Sequence, residues 1–174
     1  MLWEAAARCA TLTDVDKWDR GYCPVCGSWP TLAELIGAEK RRVLRCGRCG
    51  TSWSWLVLLC PYCGNDDHRY LGTLTPADVR PGTALPTSAD PDSADVRLHS
   101  KDRVDVCERC RGYLKAVPSF APVSIVRLAA EDVATVHLDV GARAAGYARP
   151  GTVDVATAGI PRLAREGRQP ATGD

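Results

Sequence analysis

Four Cys-x-x-Cys pairs carry the chemistry this sequence is best suited to, which is metal ligation. They are Cys23-Pro24-Val25-Cys26, Cys46-Gly47-Arg48-Cys49, Cys60-Pro61-Tyr62-Cys63 and Cys107-Glu108-Arg109-Cys110. Two cysteines three apart aim both sulfurs at one ion when the backbone between them curls into a tight turn. Pro24 and Pro61 preset φ for that turn. Gly27, Gly50 and Gly64 can take φ > 0, which turns backbone N–H groups toward the sulfurs. The fourth pair has Arg111 in that place. A left-handed conformation costs an ordinary residue about 1–2 kcal/mol, so this knuckle is expected to be the least regular.

One pair is half of a tetrahedral site, so pairs must combine. Nineteen residues separate Cys26 from Cys46, the spacing of a four-cysteine zinc site. The 43 residues between Cys63 and Cys107 exceed that spacing, so a second site follows partly by elimination. An interleaved pairing, first with third and second with fourth, is the alternative. Disulfides would need an exporting signal. Met1-Leu2-Trp3-Glu4 shows no basic region followed by an apolar run. The nine cysteines therefore read as ligands in a reducing cytosol, with Cys9, the odd one, as a free thiol on a short helix. The longest apolar run, Trp55 to Cys60, is too short to span a membrane.

The elements that must hold these cysteines are small. Of 174 residues 6% are aromatic, with one Phe, so the core is thin and metal must supply much of the folding energy. A structural zinc site is worth on the order of 10–16 kcal/mol in small fingers. The expected fold is a small metal-stabilised α+β chain: two consecutive rubredoxin-like or zinc-ribbon modules with a C-terminal helix. Residues 1–22 read as a short helical stub that Trp3 and Trp18 could dock on the first module. Residues 23–59 form that module. Thr31 to Ile36 and Arg41 to Arg45 are its strands, joined by a turn at Gly37-Ala38-Glu39-Lys40. From Ser52 the residues alternate, placing Trp53, Trp55, Val57 and Leu59 on one face of a half-buried strand. Residues 60–149 form the second module. It has strands at Arg69 to Leu74, Val96 to Cys107 and Gly112 to Val117, with an exposed Pro/Asp-rich inserted loop at 75–95. Val133, Val136, Val140 and Ala144 recur at helical spacing, with Asp132 as a cap and Gly146 as a stop. Residues 150–174 read as a disordered tail.

Other chemistry is weakly marked. Net charge is +1, so no global field favours nucleic acid or membrane. Lys40, Arg41, Arg42, Arg45 and Arg48 could grip phosphate beside a Trp53/Trp55 stacking platform. The simpler reading is core packing for the tryptophans and charge balance for the arginines. A divalent ion on four thiolates leaves a net −2, and Arg45, Arg48, Arg109 and Arg111 all lie beside or within knuckles. His68 could replace a thiolate in an irregular site, His99 is expected in solvent, and His137 is expected half-buried. No nucleophile triad, phosphate loop or paired-carboxylate pattern stands out, so no catalytic residues are named.

Taken in order, several segments resemble the metal-binding C-terminal part of the FdhE-type formate dehydrogenase accessory proteins. They are Cys23-Pro24-Val25-Cys26-Gly27-Ser28-Trp29-Pro30, the three later cysteine pairs, Gly112-Tyr113-Leu114-Lys115, and Glu131 through Asp139 ending in Gly146-Tyr147. The likeness covers roughly residues 18 to 149. It implies a cytoplasmic, non-enzymatic maturation factor that contacts the catalytic subunit of formate dehydrogenase. It also implies rubredoxin-like sites in which Cys23, Cys26, Cys46 and Cys49 hold one zinc or iron ion and Cys60, Cys63, Cys107 and Cys110 the other. Family members usually carry a long helical region before the first ligand, where this sequence has 22 residues. The rival expectations are a rubredoxin-type iron electron carrier and a nucleic-acid-binding zinc ribbon.

Overall fold

The computed structural model describes residues 14–75 and 102–150, together with Glu4, Ala6, Arg8 and Cys9. The inserted loop expected at 75–95 (Thr75 excepted), residues 96–101 of the strand expected from 96 to 107, Trp3, His99 and the tail from residue 151 lie outside the described residues.

Each cysteine-bearing half contributes a three-stranded antiparallel meander. The first has β1 (Leu32–Ile36), β2 (Arg41–Arg45) and β3 (Ser52–Ser54). The second has β4 (Leu71–Leu74), β5 (Arg103–Cys107) and β6 (Gly112–Ser119). In both, one knuckle precedes the first strand and another separates the second strand from the third. Parallel pairing of β1 with β6 fuses the meanders into one six-stranded mixed sheet, ordered β3-β2-β1-β6-β5-β4. These two central strands are buried almost throughout, as strands covered on both faces must be.

Alternation along the strands sorts the core into two faces. Ala33, Leu35, Leu44, Trp53, Leu114 and Ala116 share one face with Cys23, Cys46 and Cys49. On the other, Leu32 and Val117 pack against Leu128, while Val104, Val106 and Tyr113 pack against Leu138, Ala142 and Tyr147. Leu128 lies on α1 (Ile125–Ala134), Leu138 and Ala142 lie on α2 (Val136–Ala144), and Tyr147 follows α2. Arg42 of β2 reaches Asp105 of β5 at 3.1 Å, although two strands lie between them in the sheet. The sheet therefore curls around its first face.

Five expectations are corrected. The C-terminal helix is two helices that break at Thr135, whose buried hydroxyl donates back to the Glu131 carbonyl at 2.6 Å. Asp132 lies in the last turn of α1 and is no cap. Ser124 is the cap, accepting from the Arg127 N–H. Gly146 does end α2, at φ 84°. The valine stripe has the expected period but the opposite face: Val133, Val136 and Val140 are exposed, and Leu138, Gly141 and Ala142 are buried. Leu128 and Leu138 face the sheet while the valines face solvent, so the period of the valine stripe alone did not fix which side is covered.

The remaining two corrections concern strands. β3 stops at Ser54. There the Arg42 guanidinium gathers the carbonyls of Leu56, Val57 and Leu59, and the Trp55 indole donates to the Leu59 carbonyl at 2.9 Å. The chain turns away, leaving Trp55 half-buried and Val57 exposed. β4 begins at Leu71, because His68–Tyr70 forms a single 3₁₀ turn started by the Asp67 carboxylate.

Candidate metal centres

The knuckles owe their shape to repeated backbone hydrogen bonds. In the first three, the leading cysteine N–H donates to the carbonyl five residues on, and the glycine N–H donates back to the leading cysteine carbonyl. The pairs are Cys23–Ser28 and Gly27–Cys23, Cys46–Thr51 and Gly50–Cys46, and Cys60–Asn65 and Gly64–Cys60, all at 2.8–3.0 Å. Gly27, Gly50 and Gly64 sit at φ 70°, 79° and 71° as the turn demands. In the fourth knuckle Arg111 takes the same region at φ 54°, a strained position for a residue with a Cβ. Its side chain anchors it. The guanidinium donates to the Ala145 carbonyl at 2.9 Å and the Gly146 carbonyl at 3.3 Å, pairs with Glu108, and lies 4.1 Å over the Tyr147 ring. Tyr147 donates to Glu108 in turn.

These turns gather the sulfurs into two clusters, Cys23/Cys26/Cys46/Cys49 and Cys60/Cys63/Cys107/Cys110, with all four sulfurs of each within 4.8 Å of one another. The first pair thus joins the second and the third joins the fourth; the interleaved grouping does not occur. Cys23–Cys49 and Cys26–Cys46 are 3.5 Å apart, Cys60–Cys110 3.7 Å and Cys63–Cys107 3.8 Å. A tetrahedron with metal–sulfur bonds near 2.3 Å has edges of about 3.8 Å, so the spacing fits one ion per cluster. It is far from the ~2 Å of a disulfide. Cys9 and His68 are exposed and belong to neither cluster, and His137 is half-buried on α2.

Protons divide unevenly among the bare thiols. Hydrogen bonding with Cys46 lowers Cys23 to about 4 despite burial, and the same bond raises Cys46. Cys110 likewise lowers Cys60 to about 5 and is itself raised. Burial pushes Cys63 up to about 11 and also raises Cys49. In each cluster one thiolate is favoured while Cys46, Cys49, Cys63 and Cys110 are pushed toward the protonated form, so a bound cation would displace protons from those four.

The basic run is split, with Lys40, Arg41 and Arg48 exposed and Arg42 and Arg45 drawn inside. Arg45 is buried, paired to the fully buried Glu34 at 2.6 Å, and donates to the Val123 carbonyl at 2.8 Å; Arg42 is buried against Asp105. Trp53 is 2% exposed, which makes it core. Arg109 lies over the Tyr70 ring and Arg111 pairs with Glu108, so these arginines have partners besides the thiolates.

Sequence reasoning missed a buried network that fixes the second half. Lys115, fully buried on β6, contacts Asp132 and Asp139 at 2.7 Å each. Arg149 reaches the same carboxylates at 3.1 and 2.8 Å, and the Tyr113 hydroxyl donates to Asp139 at 2.8 Å. Two cations thus meet two anions, as burial requires. The signal was a lysine inside an apolar strand, Gly112 to Val117, with Asp132 and Asp139 seven apart on the helices that cover it.

No family model matches the chain. It is 28% identical over 138 residues to the FdhE homolog of Aquifex aeolicus, covering 76% of this chain and 40% of that protein. To the FdhE homolog of Shewanella sp. (strain MR-4) it is 30% identical, covering 74% and 36%. To the FdhE of Escherichia coli O127:H6 it is 28% identical, covering 75% and 36%. The crystal structure of the FdhE protein from Pseudomonas aeruginosa superposes with TM-score 0.52 at 26% identity, covering 75% of this chain and 39% of that one.

The fold and its sulfur clusters define a small α+β protein with two four-cysteine centres, each able to hold a metal ion. Across the matched three quarters of its length it is similar to FdhE proteins. It spans about two fifths of the relatives it matches. Among the described residues no helix is long and apolar enough to cross a membrane.

Proposed function

We propose that this chain is an accessory protein for formate dehydrogenase maturation. It acts in the cytoplasm by binding the enzyme's catalytic subunit and catalyses no reaction of its own. The observation that carries this reading is the match to FdhE proteins over a stretch that contains both sulfur clusters. Cys23, Cys26, Cys46 and Cys49 would hold one zinc or iron ion, and Cys60, Cys63, Cys107 and Cys110 the other. Each ion would lock two knuckles together and so fix the rubredoxin-like modules 23–59 and 60–149 in one binding face. Four thiolates in a tetrahedron suit both metals. The Lys115 network and the Glu34–Arg45 pair, which hold the helices and the Val123 segment on the sheet, would keep that face in one shape.

The test is an affinity capture from cells that make formate dehydrogenase, with the tagged chain as bait. Recovery of a molybdenum- or tungsten-enzyme catalytic subunit, lost in a Cys46→Ser bait, is the expected result. Capture without that subunit overturns the reading. A protein whose bound metal shows no reversible reduction excludes the electron-carrier alternative.

A further inference from the structure

We infer that the two centres differ in kind: the cluster of Cys60, Cys63, Cys107 and Cys110 is an exchange site, open to small thiol and chelating ligands, while the other is closed. This rests on the reading that both clusters hold an ion, and it assigns the exchange to one of them.

Three observations carry it. First, Cys63 and Cys110 are exposed, whereas Cys23, Cys46 and Cys49 are 1%, 0% and 3% exposed and Cys26 is half-buried. Second, Cys23, Cys46 and Cys49 belong to a hydrophobic core with Leu44, Trp53 and Ala33, with Cys26 packed against it, and none of the second cluster's cysteines belongs to such a cluster among the described residues. Third, the surroundings differ in the same sense. A Cβ placed on Gly50 would meet Ile125 of α1 at 3.5 Å, and Thr51 bonds the Cys49 sulfur at 3.2 Å. A Cβ on Gly27 or on Gly64, the matching positions of the first and third knuckles, meets nothing within 4 Å, so this difference lies at the second knuckle.

The exposed sulfurs of the second cluster belong to different knuckles, Cys63 to the third and Cys110 to the fourth. An incoming donor atom can therefore replace one sulfur from each knuckle in turn. With an ion held there, Cys63 Sγ would give up its bond as the donor formed a new one, and the freed thiolate would take a proton from water. Cys60 and Cys107, 4% and 1% exposed, keep their hold during that exchange. Arg109, exposed beside Cys110, favours the approach of an anionic chelator. The first cluster offers only the half-buried Cys26 to the same attack.

The experiment uses the full chain loaded with zinc, its stoichiometry checked by native mass spectrometry, and challenged with an excess of a chromophoric anionic chelator. Samples taken during release are alkylated and digested, so that each freed cysteine is located. The expected result is two phases of one ion each, separated by roughly 10-fold or more in rate, the scale on which outer contacts tune metal hold. Cys60, Cys63, Cys107 and Cys110 should be alkylated in the fast phase. In a Cys63→Ser chain the fast phase should accelerate or vanish while the slow phase keeps its rate. A single phase, or early alkylation of Cys23, Cys46 and Cys49, overturns the inference. Loading with fewer than two ions overturns the two-centre reading on which it depends.

Discussion

The two four-cysteine centres are made from the same turn and placed in different surroundings. The first lies inside the core, with Leu44, Trp53 and Ala33 around Cys23, Cys46 and Cys49. The second lies at the edge, with Cys60 and Cys107 turned inward and Cys63 and Cys110 facing solvent. The polar anchoring runs the other way. The second half has the Lys115–Asp132–Asp139–Arg149 network and the Arg111 contacts to the end of α2. Apolar packing secures the first centre, and ion pairs and helix-end hydrogen bonds secure the second. A knuckle fixes local geometry only; what surrounds it decides whether its sulfurs are reachable.

The comparison is tested hardest by removing one ligand from each centre. Cys46→Ser should cost most, since it opens a site inside the main core and a structural zinc site is worth on the order of 10–16 kcal/mol. Loss of the cooperative melting transition is the expected result. Cys110→Ser should lower Tm by less, because the Lys115 network still ties β6 to the helices. Equal losses would erase the distinction between the centres.

A smaller effect is expected from Lys115→Met. It leaves Asp132 and Asp139 facing Arg149 alone in a partly buried site, and breaking a buried pair costs about 3–5 kcal/mol. Chemical denaturation measures it, and metal content at the first centre should be unchanged. A near-neutral result would mean that the network does not secure the second half.

The smallest effect is a pH dependence. Burial and the hydrogen bond to Asp139 push Tyr113 up to about 12. Its neutral form is favoured in the folded state, so its contribution is complete below the ordinary tyrosine value of about 10. That contribution is lost as pH rises through about 12. The Tm difference between the native chain and Tyr113→Phe should therefore shift across that window and stay flat between pH 7 and 9. A difference that changes below pH 9 would contradict it.

What could be read from the sequence was local. Knuckle chemistry is written within five residues, so the turns, the glycines and the strain at Arg111 were legible. β1 and β2 followed from two short strand-like runs on either side of the Gly37 turn. Long-range choices were not legible. Nothing near Leu32 says that β1 pairs with β6 to fuse the halves into one sheet, and the valines of α1 and α2 give a period without a face. Arg42 and Arg45 looked like a surface run because their partners, Asp105 and Glu34, come from other strands. Asp132 looked like a cap because Lys115, its partner, lies on a different element.

X-ray absorption on protein purified without oxygen, combined with a metal count, bears most directly on the two centres. Two ions per chain, each with four sulfurs near 2.3 Å, is the result expected of the clusters. One ion or none per chain, or nitrogen or oxygen donors in place of sulfur, would contradict the two four-cysteine centres.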